Sequence, residues 1–467
     1  MKQTLLSGKA KLTAILLLLV FAAQAQQRHE LSAQQAVEYA RKNSVQIKNA
    51  LIDIEEQAQT NKEVTASAYP QINGNFGLNY YPNVAVQTLP NFISPAVYGV
   101  LANEGVKDAN GNAIKVPNDF GYIAAQFGTK FSNNIGVSLQ QLLFDGQVFI
   151  GLQARSATMQ FAHKAAEVTE ESIRTNVYKV YYQLAASKSQ IGILDANIAR
   201  VQALLNDTRK LYENGFAEKL SISQLEVQLA NLQTERLKAL NGINNGYIGL
   251  KMLIGMPVQD SLVLTDSITY NDIRNGVLEA TQYTYSDRKE YQYAELGKTL
   301  NEFNVRRYEL SKLPTVSLSS NYNYIRQSNT FGFGGRWNPS SLIGMNVSVP
   351  IFSGFAKNAR IDRAKLEVQK SVNNIENLKI TIDAQVQQAV NNYRNALATL
   401  DAQKRNMELA ETVYNQTRLK SQNGLATNTD ISNAQNDLAV AQNNYILATY
   451  DAINAKIDFL KATGKLQ

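Results

Sequence analysis

The residue types that ordinarily break and make bonds are nearly missing from this 467-residue chain. It has no cysteine and only two histidines, His29 and His163. Thiolate nucleophiles, thiolate metal sites, disulfide scaffolds and N-terminal acylation through cysteine are thereby excluded. Two histidines leave almost nothing for an imidazole metal or acid/base centre, so no catalytic residue, metal or cofactor is expected. The polar groups with a recognisable role are local ones. Asn214-Gly215 and Asn423-Gly424 read as tight turns whose glycines take a left-handed conformation at the end of a helix. Asp430 follows the second turn, where it would sit in the first turn of a return helix and meet the partial positive charge of the helix N-terminus. Asn433 lies one turn further on. Groups of this kind cap, dock and shape electric fields.

The charge balance points the same way. Forty-six Lys+Arg against 39 Asp+Glu leave +7, and Lys2, Lys9 and Lys11 supply three of those charges. That is too mild for a nucleic-acid footprint, so no nucleic-acid partner is expected. The same three lysines precede the apolar stretch Ala14–Ala23, and Ala23-Gln24-Ala25 fits a small-x-small cleavage site. Residues 1–25 thus read as an export signal peptide with a mature start at Gln26. An uncleaved anchor would need about 20 apolar residues. No other stretch is apolar enough for a transmembrane helix, which leaves an exported chain that is periplasmic, secreted or an outer-membrane β-barrel.

The elements that position the turns occur twice. Leu143-Phe144-Asp145-Gly146 returns as Ile351-Phe352-Ser353-Gly354, and Asn214-Gly215-Phe216-Ala217 returns as Asn423-Gly424-Leu425-Ala426. At the same offset Ile222-Ser223 matches Ile431-Ser432, and Gly255 matches Gly464. The chain therefore divides into a first repeat, 26–255, a linker, 256–275, and a second repeat, 276–467. Each repeat reads as helix, two strands, very long helix, turn and return helix.

The strand segments alternate. Ile72, Gly74, Phe76, Leu78 and Tyr80 are interleaved with Asn73, Asn75, Gly77 and Asn79, and Ile135, Val137 and Leu139 with Gly136, Ser138 and Gln140. In the second half Val316, Leu318, Ser320, Tyr322 and Tyr324 alternate with Ser317, Ser319, Asn321 and Asn323, and Ile343, Met345, Val347 and Val349 with Gly344, Asn346 and Ser348. A half-buried soluble sheet has this period. A barrel in lipid has it too, and the uncharged polar set, with stretches near the roughly ten residues that cross a bilayer, suits a wet lumen. Tyr80, Tyr81, Tyr322, Tyr324 and Trp337 read as strand-end aromatics of an interfacial girdle. The link 82–130 between the first two strands is long and holds four prolines, whereas the second-half link, about 326–340, is short. In an outer-membrane barrel both would lie at the cell exterior.

The helices are proline-free and heptad-patterned. Ile173, Val180, Ser187, Leu194, Val201 and Thr208 form one row and Val177, Leu184, Ile191, Ile198, Leu205 and Tyr212 its partner. Ile382, Ala389, Ala396, Gln403, Ala410 and Thr417, with Val386, Tyr393, Leu400, Met407, Tyr414 and Ser421, repeat both rows. These are coiled-coil seams. A helix from Gln147 to Tyr212 would run ~100 Å. Faces rich in amides, such as Gln385, Gln388, Asn391 and Asn392, are either plainly solvated or the wall of a water-filled tube.

The opening Leu31-Ser32-Ala33-Gln34-Gln35-Ala36 to Asn43-Ser44, the Ala-Tyr-Pro-Gln at 68–71, both Phe-x-Gly junctions and both Asn-Gly turns occur in an order that resembles the TolC-like outer-membrane efflux proteins. Ser44 stands where that family usually has proline. The resemblance implies an α+β membrane protein, a homotrimer in which four strands per chain complete a 12-stranded β-barrel in outer-membrane lipid, continued by an α-helical coiled-coil barrel through the periplasm. Four strands alone cannot close a pore, which independently requires their edges to pair with other copies. The implied function is a passive exit duct of a tripartite efflux or type I secretion system, working with a periplasmic adaptor and an inner-membrane transporter. The turns Asn214, Gly215, Asn423 and Gly424 become partner-docking tips. Asp430 and Asn433 become the channel constriction, since the family carries two aspartates three residues apart there and Asn433 replaces the second. The first half offers Ser221 and Gln224 at the matched positions. The competing reading is a periplasmic coiled-coil adaptor without its own pore, which requires the alternating stretches to form a soluble β-domain.

Overall fold

The computed structural model describes residues 28–266, 270–274 and 282–466. The expected signal peptide lies outside them, as do parts of the 256–275 linker. In chain order the elements begin with β1 (Arg28–Leu31), α1 (Ala33–Asn43), α2 (Val45–Ala66), β2 (Gln71–Tyr80), β3 (Val86–Pro90), α3 (Ile93–Asn103), β4 (Tyr122–Gln126) and β5 (Phe131–Phe144). They continue with α4 (Gly146–Glu213), α5 (Lys219–Ile254), β6 (Ser261–Leu264), α6 (Tyr270–Arg274), α7 (Lys289–Leu310), β7 (Thr315–Ser328), β8 (Asn338–Ser348), α8 (Ala356–Gln422) and α9 (Asn428–Ala462). Two compact units result, each drawing on both halves of the sequence: Asn61–Gln153 with Phe303–Asp362, and the described residues within 28–60, 154–302 and 363–466.

The first of these holds a four-stranded antiparallel sheet of order β2-β5-β7-β8. Register fixes its two faces, because directly paired residues share a side. Ile72 pairs with Leu139, Phe76 with Ile135 and Tyr80 with Phe131. Ile135 in turn pairs with Tyr324 and Val137 with Tyr322, while Leu318 pairs with Met345 and Val316 with Val347. This face is apolar. The other carries Asn73 against Ser138, Asn75 against Gly136, Asn134 against Gly77, Ser138 against Asn321 and Ser317 against Asn346. Asn75 Nδ2 donates to Asn323 Oδ1 at 3.2 Å across this polar face.

β7 extends further than the alternation suggested. Tyr322 and Tyr324 therefore lie inside the strand and not at its end, a correction to their reading as terminal girdle residues. Arg326 breaks the apolar pattern, yet it is only 6% exposed. Its guanidinium donates to Gly332 O at 2.7 Å and to Gly334 O, which folds the β7–β8 loop back over the strand end. Phe331 and Phe333 from that loop join Phe131, Tyr80 and Phe76 in one aromatic cluster. The long link 82–130 also has internal structure: β3 and β4 pair as an antiparallel hairpin and α3 lies between them. At the foot of the sheet β5 runs through a bulge at Leu143 into α4. The Asp145 carboxylate accepts from Gln147 N–H at 2.7 Å and caps the helix. Gly146 is required there, since a Cβ would sit 2.8 Å from Leu310 O.

The second unit is helical. α4 is one unbroken helix of 68 residues and α8 one of 67. Their seams are buried as the heptads require, with Ile173, Val177, Leu184, Val201 and Leu205 inside in α4, and Ile382, Val386, Tyr393 and Leu400 in α8. Only Tyr212, at the turn, comes out into solvent. Each fully buried aliphatic side chain of this kind contributes roughly 1.5–3 kcal/mol. α1 packs Ala33, Ala36, Val37 and Ala40 against Ile173, Val177, Leu250 and Ile254. On α9 Ala441, Ala448 and Ala452 are buried, and the small side chains let the backbones approach closely. β1 pairs in parallel with β6, which the sequence did not foretell. Tyr181 locks this pairing: its hydroxyl donates to Leu31 O at 2.8 Å and accepts from Asp266 N–H at 3.1 Å. Asp266 in turn accepts from Ala33 N–H at 2.8 Å.

Candidate functional site

Both helical hairpins end in the same backbone motif. Gly215 has φ +81° and Gly424 φ +74°. Phe216 N–H bonds to Leu211 O at 2.8 Å and Gly215 N–H to Tyr212 O at 2.9 Å. The second tip repeats this with Leu425 to Lys420 at 2.8 Å and Gly424 to Ser421 at 3.0 Å. These are Schellman caps, which satisfy the last helical carbonyls and need a left-handed residue. Asn214 and Asn423 each donate a side-chain amide to the carbonyl four residues back, at 2.7 and 2.9 Å. Each tip also presents an apolar side chain to solvent, Phe216 at 81% and Leu425 at 77% exposure. Sequence reasoning passed over these two, although both stand directly after an Asn-Gly pair.

The tips differ where the return helices start. α5 begins after Glu218 without a side-chain cap. α9 begins with a capping box: Asp430 N–H donates to Thr427 Oγ1 at 3.2 Å, and Asp430 Oδ2 accepts from Thr427 N–H at 2.8 Å. The Thr427 hydroxyl bonds the same oxygen at 2.7 Å. Hydrogen bonds from the Thr427 hydroxyl and then from its backbone N–H hold the Asp430 carboxyl below the usual carboxylate range. Asp430 is therefore ionised, exposed and fixed in direction.

Asn433 lies one turn along the same helix and lines a groove of about 1190 Å³ between α4, α5 and α9. Gln224, the first-half match of Asn433, lines it as well, together with Asn197, Gln228, Asn231 and Asn436. Amide pairs cross it: Gln228 Nε2 to Asn436 Oδ1 at 2.9 Å and Gln190 Nε2 to Asn443 Oδ1 at 3.0 Å. Buried Gln435 donates to Asn197 O at 3.3 Å. Around the groove, Arg209 pairs with Glu226 at 2.7 Å and Arg236 with Asp195, tying α4 to α5. Tyr414 packs on Ile431, Ala434 and Leu438, with Arg200 over its ring at 5.7 Å, tying α8 to α9. The structure thus joins Asp430 to Thr427, puts Asn433 in the groove, and leaves the two Asn-Gly turns as solvent-facing ends.

Comparison with known proteins identifies this assembly of turns, seams and an amphipathic sheet. The sequence profile described as "outer membrane efflux protein" matches residues 36–256 and 302–465. The chain belongs to the outer membrane efflux protein family. It is similar to the outer membrane protein TolC of Vibrio cholerae, 21% identical over 338 residues that cover 71% of this chain and 76% of the relative. It is also similar to the proteases secretion protein PrtF of Dickeya chrysanthemi, 18% identical over 71% of this chain and 72% of the relative. Among solved structures the fold matches CusC with a TM-score of 0.72 at 15% identity, covering 93% of this chain and 92% of that one. It matches VceC of Vibrio cholerae with a TM-score of 0.68 at 16% identity, covering 92% and 96%. As an outer membrane efflux protein the chain is a passive exit duct in the cell outer membrane with a helical tunnel in the periplasm, and it is not an enzyme. The reading as a pore-less periplasmic adaptor is set aside by the same match, which spans strands and helices of both halves.

Proposed function

We propose that three copies join their sheets edge to edge into one 12-stranded barrel in outer-membrane lipid, with the two repeats, 26–255 and 276–467, each contributing two strands and one helical hairpin. The observation that carries this is the sheet itself. It is antiparallel throughout, ends in two edge strands, β2 and β8, and has one apolar and one uncharged polar face. Open edges of this length invite pairing, and closure with the polar face inward gives a wet lumen and a lipid-facing wall. On this reading the links 82–130 and 326–340 face the exterior, and 256–275 lies around the middle of the tunnel. Heat-modifiable trimers in outer-membrane fractions are the expected result, and crosslinking in native membranes that returns only monomers refutes it.

The duct serves a tripartite efflux or type I secretion system, opened and energised by a periplasmic adaptor and an inner-membrane transporter that engage the tips at Asn214-Gly215 and Asn423-Gly424. Replacing Gly215 and Gly424 by isoleucine should abolish export while inserted trimers persist, and normal export would contradict docking there. Three Asp430 carboxylates ring the periplasmic entrance and favour cations, with neutral Asn433 leaving a single charged ring. Their direction is set by the Thr427 cap, so capping and gating use the same side chain. In planar bilayers Asp430→Ala should lose cation preference and block by divalent cations added on the periplasmic side. Unchanged selectivity and block would leave Asp430 with the cap alone.

A further inference from the structure

We propose that the turn after β8 is a knob that seats in a cleft at the foot of β2 in the neighbouring copy; this rests on the closed-barrel reading above. Three observations converge. The sheet order and its antiparallel pairing make β2 and β8 the two edges and give them opposite directions. When β8 of one copy meets β2 of the next, the end of β8 at Ser348 comes beside the beginning of β2 at Gln71. Directly after Ser348 the chain presents Ile351, Phe352 and Phe355, which are 95%, 76% and 72% exposed. The Phe352 and Phe355 rings meet edge to face at 5.5 Å, which makes the projection an ordered unit. Phe355 has φ +65°, directly after Gly354 at +60°. A bulky residue in that region is strained, and such strain persists where the surroundings hold it. Apolar groups this exposed and this contiguous mark a contact surface.

The cleft has the complementary character. It measures about 510 Å³, lies at the foot of β2, β5 and β7, and is lined by Ala66, Ser67, Gln71, Gln140 and Leu142 together with Glu63 and Ser317. It lies on the polar face of the sheet, and its exposed wall is mostly carbon although Glu63, Ser67, Gln71, Gln140 and Ser317 bring polar groups to it. Ser317 pairs with Leu142 on that face, and Asn346 with Ser317, which puts Ser348 there too. Phe352 follows four residues past the strand end, a span of at most ~14 Å. The matched motif in the first half projects less: Leu143 and Phe144 are 52% and 41% exposed, Phe144 remains in β5, an interior strand, and Asp145 caps α4. The more exposed version occurs where the sheet has an edge to join.

The chain contains no cysteine, so paired replacements report cleanly. Phe352→Cys combined with Ser67→Cys, treated in membranes with a short bis-maleimide, should yield covalent trimers, because a heterologous contact closes the ring. Each single variant should give no trimer. Monomers alone from the double variant, while an amine-reactive crosslinker still captures trimers, would overturn the knob and leave the barrel intact. Failure of the amine reagent to capture trimers of the unsubstituted chain would remove both. If Phe352→Cys reacts only with a lipid-soluble maleimide, the knob faces the bilayer and the proposal falls. Should that chain fail to insert, Ile351→Cys with Ser67→Cys carries the same test with the same outcomes.

Discussion

Two glycines with nearly the same backbone angles should respond very differently to alanine. Gly215 at φ +81° and Gly255 at +75° both end helices in the left-handed conformation. Around Gly215 an added Cβ meets nothing within 4 Å, whereas at Gly255 it would lie 2.3 Å from Asn43 O and 2.9 Å from Ser44 N. Those are backbone atoms at the α1–α2 corner, and Ser44 is buried. For Gly215→Ala the left-handed conformation costs about 1–2 kcal/mol, of which about 0.4–1 is offset by a stiffer unfolded chain. The net is about 1 kcal/mol, roughly fivefold in an opening equilibrium. Gly255→Ala adds overpacking of about 1–3 kcal/mol, for a total near 2–4. That corresponds to opening raised about 30- to 1000-fold. Hydrogen exchange should resolve this through the amide of Met256, which bonds Lys251 O at 2.8 Å, and that of Phe216, which bonds Leu211 O at the same distance. Equal loss of protection at the two sites would refute the reasoning, since it would mean that backbone angle alone, and not the neighbouring corner, decides the cost.

Thr427→Ala should loosen the first turn of α9 by about 1 kcal/mol through loss of its cap, read as faster exchange there. The Asp430 carboxyl is held below its ordinary value of 3.8 in the folded chain, so its contribution is present at neutral pH. It is lost as pH falls below that value and through the lower native one, and Asp430→Asn should differ from the parent only above this window, by exchange measured against pH. Tyr283 donates to Asp383 at 2.6 Å, and this bond pushes its pKa up to about 12. Its contribution holds below pH 10 and disappears as pH rises through 12; ultraviolet phenolate titration of Asp383→Asn should bring the midpoint back toward 10. Tyr181→Phe leaves Asp266 N–H short of a partner, at about 1–3 kcal/mol, while Leu31 O keeps Thr265 N–H at 3.2 Å, and it should expose β1 to limited proteolysis with α4 unaffected.

The long helices were legible because their seams are long: many apolar positions agree on one period, and no proline interrupts them. The four sheet strands were legible for the same reason, through faces that differ sharply in polarity. Arg326 shows where such reading stops. A charge on the apolar face ends the visible pattern, while the strand continues because loop carbonyls accept the guanidinium. β1 and β6 were invisible, since four residues each give no period and their pairing joins positions more than two hundred apart. The hairpin and helix within 82–130 were masked by Pro90 and Pro95, which end or open elements instead of breaking them. At the tips, Asn-Gly announced the Schellman caps and Asp430 announced itself as a first-turn acid, while the Thr427 capping box that holds it came only with the structure. The exposure of Phe216 and Leu425 was not written in any period, because a turn has none.

The polar face of the sheet bears Asn, Ser, Gln and Gly with three aliphatic residues, Leu142, Ile325 and Leu342, and no ionised side chain. In a closed barrel that choice governs friction. Fixed charges would create wells in which an oppositely charged passenger lingers and barriers that turn others back. Amides and hydroxyls instead exchange hydrogen bonds with water over short range, so the landscape along the wall is nearly level for passengers of either sign. Such a conduit sorts nothing once a molecule is inside. Selection has to be finished before the passenger reaches the strands, and the last stage of transit is left to diffusion.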